Sequence, residues 1–122
     1  METYNELVNA VSEYDNNRFL NQYDKVKIIK GNAIETIPEF IRENQHIAVA
    51  LLFLDFDLYE PTKVAIEYFI DRIPKGGIIA FDEVNNESWP GETQAILNTL
   101  TSLNKLELRK FEFDPNISYA VI

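Results

Sequence analysis

No cysteine occurs in the 122-residue chain, and histidine occurs once, at His46. The first absence excludes a disulfide framework, a thiolate metal site and a cysteine nucleophile. The second excludes a centre built on two imidazole ligands, and His46 itself is assigned no role. Glycine is scarce too, at Gly31, Gly76, Gly77 and Gly91 only. None of the four forms a Gly-x-Gly turn after a strand near the N-terminus. No apolar run approaches the ~18 residues of a membrane span. The opening Met1-Glu2-Thr3-Tyr4-Asn5 has no basic stretch leading into an apolar one, so no secretory signal is visible and the expected compartment is the cytoplasm. Basic side chains are outnumbered, 11 against 20 acidic, for a formal net charge of −9. Such a surface repels phosphate backbones and anionic lipid, which argues against nucleic-acid and membrane partners.

What is present is enough for a core. The chain is 46% hydrophobic and 12% aromatic, and its length suits one domain over residues 1–122. From Thr3 to about Gln22, Tyr4, Leu7, Val8, Val11 and Tyr14 recur at helical spacing, with Thr3 as the cap. Lys25 to Lys30 is a short β-rich run ending at Gly31. A helix follows, with Pro38 pre-setting its first turn, and ends near Asn44. Ile47 to Leu54 is apolar without alternation, the mark of a strand covered on both faces in a parallel sheet. Pro61 opens another helix, which Pro74-Lys75-Gly76-Gly77 stops. Ile78 to Phe81 is a second apolar strand. A polar loop leads to a helix from about Glu92 to Leu103. Leu106–Phe113 and Ser118–Ile122 finish the chain as a hairpin about Asp114-Pro115-Asn116.

Strands that alternate with helices predict an α/β fold with a mostly parallel sheet and helices on both faces. The last hairpin must be antiparallel, because its loop is too short for a crossover. Ligands in such sheets sit beyond the carboxyl ends of the strands. Both apolar strands end in acids: Asp55 and Asp57 after the first, Asp82 and Glu83 after the second. On neighbouring strands, Asp55, Asp82 and Glu83 would converge, and their mutual repulsion calls for protons or a cation. Oxygen-only donors suit a hard divalent ion such as magnesium. The plainer alternative is that these acids cap the following helices or solvate the strand ends.

Three segments carry a family resemblance: Asp55-Phe56-Asp57-Leu58-Tyr59-Glu60-Pro61-Thr62, Pro74 to Glu83, and Trp89-Pro90-Gly91-Glu92 followed by Ala95. With Gly31-Asn32-Ala33 and Thr36-Ile37-Pro38, they resemble the macrocin O-methyltransferase family over about residues 25 to 100. These are S-adenosylmethionine-dependent enzymes that methylate sugar hydroxyls. The resemblance implies a partial Rossmann-like methyltransferase fold. It implies Asp55, Asp82 and Glu83 as magnesium ligands, although the family usually has aspartate at the last position. It also implies Asp57 as a general base for the acceptor hydroxyl, and Asn32, Ala33, Asp55 and Phe56 on the cofactor. Tyr59 and Trp89 become substrate-side or packing residues.

The family's Gly-rich strand-to-helix turn, which holds the methionine part of the cofactor, has no counterpart here. The chain resembles the C-terminal half of such an enzyme. Without the preceding strands, the Ile47–Leu54 strand would have a bare edge open to pairing. A five-stranded order follows: Val26–Lys30, Ile47–Leu54, Ile78–Phe81, the final strand, then Leu106–Phe113. Uncovered apolar surface predicts a homodimer with contacts around Leu7, Val8 and Val11. Two function classes stay open: an O-methyltransferase, or a truncated piece of one, that takes a small-molecule hydroxyl acceptor; and a non-catalytic methyltransferase-like binding or interaction domain.

Overall fold

The computed structural model describes residues 2–82, 90–100 and 107–122. They fall into two compact units, Met1–Asn32 and Ala33–Ile122.

In the first unit, α1 (Glu2–Asn17) ends five residues earlier than the apolar periodicity predicts. Arg18 is the reason for the early stop. Its guanidinium binds the Asp15 carboxylate at 2.7 Å and donates to the carbonyls of Leu20 and Tyr23, which pulls the chain out of helical geometry. Leu20 accordingly takes a left-handed φ of 58°. Residues 24–30 form no strand, which corrects the expectation of a first strand at Val26–Lys30. Their β-branched residues favour extended backbone, but a strand needs a ladder partner, and no ladder of the sheet includes them. Lys30 instead lies over the Tyr4 ring, 4.9 Å from its centroid.

The second unit holds α2 (Ala33–Glu43), β1 (Leu51–Leu54), α3 (Tyr59–Phe69), β2 (Ile78–Phe81), α4 (Pro90–Leu100), β3 (Arg109–Lys110) and β4 (Ser118–Val121). Helix α2 starts ahead of Pro38, which lies inside it. Strand β1 is the last half of the predicted Ile47–Leu54 run. The described sheet has four strands rather than about five, in the order β1-β2-β4-β3. The β1–β2 pair is parallel, and the β2–β4 and β4–β3 pairs are antiparallel. Gly76, at φ 90°, turns the chain into β2. Its N–H donates to the Ile122 carbonyl at 2.8 Å, tying the β2 entry to the C-terminus.

The register separates two faces. Leu52, Leu54, Ile79, Phe81, Ala120 and Ser118 share one, since they occupy matched levels on β1, β2 and β4. That face is buried against Ala65 and Ile66 of α3 and Ile96 of α4, with Ile37 of α2 packed at its margin. Helix α3 lies beside both α2 and α4. On the other face, Leu51 is 59%, Phe53 49% and Val121 50% exposed. The sequence is apolar on both faces of β1, yet only one is buried in this structure. No helix among the described residues is long and apolar enough to cross a membrane.

Candidate functional site

The parallel ladder runs on past its last paired residues. Leu54 is level with Phe81, and the Asp82 N–H donates to the Leu54 carbonyl at 3.0 Å. That bond fixes Asp82 beside Asp55 at the carboxyl edge of the sheet. Asp57 follows two residues after Asp55, the spacing that returns an extended chain to the same side. It sits at φ 58°, a left-handed conformation that aspartate tolerates better than most residues. Ligand-capable oxygens of Asp55, Asp57 and Asp82 all lie within 4.8 Å of one another. Asp55 is exposed, whereas Asp57 and Asp82 are half-buried. Asp57 Oδ1 is buried without a hydrogen-bond partner.

Several contacts brace the segment that presents Asp57. Leu58 caps α3 without a side-chain hydrogen bond, and the fully buried Thr62 hydroxyl donates back to its carbonyl at 2.6 Å. Tyr59, expected to face substrate or packing, accepts a hydrogen bond from Asn98 Nδ2 of α4 at 3.1 Å. The Lys63 ammonium lies 6.0 Å from the Tyr59 ring centroid. Phe56 packs against the core while remaining half-buried.

The structure thus brings Asp55 and Asp82 together and adds Asp57, which sequence reasoning had set aside as a base. The signal was present in the two-residue spacing; the left-handed turn that completes it was not. Glu83 and Trp89 lie outside the described residues. Asn32 is exposed in the first unit, and Ala33 opens α2 in the second. His46 is exposed in a turn. A groove of about 480 Å³ lies among Gln45, Ile47, Ala48, Asp71, Arg72 and Pro74, on the segments that enter β1 and β2. Arg72 is engaged there in structure: it donates to the Gln45 carbonyl at 2.7 Å, and its own carbonyl accepts from Val49 at 2.8 Å.

Whether a cation fits can be judged from the donors. All three are carboxylates, the ligand type of hard divalent ions. Oxygens sharing one magnesium ion, each about 2.1 Å away, span up to about 4.2 Å. Only an opposite pair spans that far, and adjacent ligands lie about 3.0 Å apart. The three carboxylates, within 4.8 Å of one another, would therefore draw together around the ion. An unpartnered buried Oδ1 is costly unless something satisfies it, and a cation would do so.

A family model described as macrocin-O-methyltransferase (TylF) matches residues 3–106. Among solved structures, the apo form of CalS11, a TDP-rhamnose 3'-O-methyltransferase of calicheamicin biosynthesis, superposes with a TM-score of 0.88 at 32% identity. The match covers 95% of this chain and 49% of that one. A second CalS11 structure gives 0.83 at 34% identity, over 89% of this chain and 42% of that one. The O-methyltransferase NovP shares the fold at 20% identity, with a TM-score of 0.69 over 91% of this chain and 42% of that one. The chain therefore spans about half the length of these structures, or less. No curated sequence matches significantly.

Proposed function

The chain belongs to the macrocin-O-methyltransferase (TylF) family, and we propose that it carries the metal- and acceptor-facing side of a magnesium-assisted, S-adenosylmethionine-dependent O-methyltransferase acting on a sugar hydroxyl. The observation that carries this reading is the convergence of Asp55, Asp57 and Asp82 at the carboxyl edge of β1 and β2. CalS11, an O-methyltransferase of a sugar nucleotide, supports the acceptor class.

In this reading the three aspartates hold the cation. Asp57 joins the ligand set in this reading, because its Oδ1 is buried without a hydrogen-bond partner. Asp55, the exposed member, would hold the ion through one carboxylate oxygen and take the proton of the acceptor hydroxyl on the other. When bound, magnesium would polarise that hydroxyl, and S-adenosylmethionine would supply the electrophilic methyl group. The chain's own contribution is orientation: a rigid strand end sets Asp55 and Asp82, and a braced turn sets Asp57. Asn32, Ala33, Asp55 and Phe56 are the proposed cofactor contacts, and Glu83 a further proposed ligand. A homodimer belongs to the same reading; the exposed Leu51, Phe53 and Val121 and the exposed Leu7 and Val8 of α1 are surfaces it would use.

Paramagnetic broadening locates the ion. Manganese titrated into 15N-labelled protein is expected to broaden the amides of Asp55, Phe56, Asp57 and Asp82 first. Broadening that begins instead at the acidic surface of α2, around Glu35, Glu39 and Glu43, would sink the assignment.

A further inference from the structure

Helix α4 carries a glycine in its first turn, a residue that intrinsic helix propensity disfavours. Backbone conformation does not explain it, since the positive-φ glycines are Gly31 and Gly76. Space does. A Cβ on Gly91 would lie 2.6 Å from the Tyr59 nitrogen, 3.1 Å from the Leu58 carbonyl carbon and 3.2 Å from the Asp57 oxygen. All three are main-chain atoms, so no flexible side chain can yield. They belong to the turn that presents Asp57 to the other two aspartates.

That turn needs support. Asp57 holds a left-handed φ, and its buried Oδ1 lacks a partner. Both features are unfavourable, and such conformations persist only where the surroundings over-determine them. The Thr62 and Asn98 hydrogen bonds brace the turn from α3 and α4. The bare Cα of Gly91 lies against the backbone of the same turn.

We propose that Gly91 is a positioning residue for the carboxylate cluster: its missing side chain lets α4 close on the 57–59 backbone and hold the Asp57 carboxylate toward Asp55 and Asp82. This inference rests on the cation reading above. It distinguishes Gly91 from a glycine kept only for helix packing. A packing glycine would affect stability and leave ion affinity alone; a positioning glycine acts on affinity through Asp57.

The test is manganese binding, read from the free-ion signal in electron paramagnetic resonance, on wild type, Gly91→Ala, Asp57→Asn and the double variant. Asparagine tolerates the left-handed region, so Asp57→Asn removes charge while keeping the turn. Each single change is expected to weaken manganese binding about tenfold, near 1.4 kcal/mol. The double variant is expected to bind no more weakly than Asp57→Asn, because both changes remove the same ligand. Gly91→Ala affinity within twofold of wild type, or losses that multiply in the double variant, would overturn the positioning role while leaving the cation reading intact. A wild type that binds no manganese would overturn both. Should Gly91→Ala not fold, the wild type still decides. Magnesium is expected to shift the amide resonances of Tyr59 and Gly91 along with those of the aspartates, and unmoved Tyr59 and Gly91 signals would overturn the proposal.

Discussion

Truncating Phe81 to alanine is expected to cost about 3–5 kcal/mol of folding stability. Phe81 is fully buried in the central strand β2, level with Leu54 on one side and Ser118 on the other. The atoms removed face α3 and α4, and a single layer of helices can collapse only partly into the space. Folded domains of this size hold about 5–15 kcal/mol in total, so the loss takes a large part of the margin. The same truncation at Phe53, 49% exposed on the opposite face, is expected to cost about 1 kcal/mol. Urea unfolding of the two variants measures the contrast. Equal losses would mean that the second face is covered in solution, and the concentration dependence of the midpoint would then tell whether a second copy covers it.

S-adenosylmethionine is expected to bind the 122-residue chain at least about 100-fold more weakly than it binds whole CalS11, a gap of about 2.7 kcal/mol. The reason lies in which groups are present. Close approach of a backbone to a charged cofactor uses glycine, where no Cβ intervenes. None of the four glycines stands in a Gly-x-Gly turn, and Gly76 and Gly91 are already committed, one to a left-handed turn and the other to helix closure. The proposed donor contacts are Asn32, Ala33, Asp55 and Phe56, and none of them would replace a glycine turn. Calorimetry on both proteins, with and without magnesium, gives the comparison. An affinity within tenfold of CalS11 would show that this chain builds a donor site by other means. Absence of binding even with magnesium would favour the non-catalytic binding module.

Much of this arrangement was legible in the residues. Unbroken apolar runs marked β1 and β2, and Gly76-Gly77 marked the entry to β2. Acids directly after both runs marked the edge where chemistry gathers. These features are local, and strand pairing only had to bring them side by side. What failed was non-local. Val26–Lys30 has strand composition, but composition does not supply an edge to pair with. The Ile47–Leu54 run looked buried on both faces, whereas its coverage depends on which helices pack there, and α2, α3 and α4 all gather over the Leu52 and Leu54 side. Arg18 ended α1 early by collecting carbonyls that periodicity does not see. The place of Asp57 beside the other two acids is non-local too. Its membership of the cluster depends on one left-handed turn and on the closeness of Gly91, and neither is a property of the Asp-x-Asp spacing alone.

The most direct test of the carboxylate site is a pair of thermal melts, in excess manganese or magnesium and in chelator, on wild type and Asp82→Asn. An ion at ten times its dissociation constant stabilises the folded state by about 1.4 kcal/mol. For a chain of this length that corresponds to a rise of about 4–8 °C in melting temperature. The expected result is such a rise in wild type and none in Asp82→Asn. A wild-type melting temperature indifferent to the ion would contradict the site and leave Asp55, Asp57 and Asp82 as solvated strand ends; a rise that survives Asp82→Asn would place the ion elsewhere on this acidic surface.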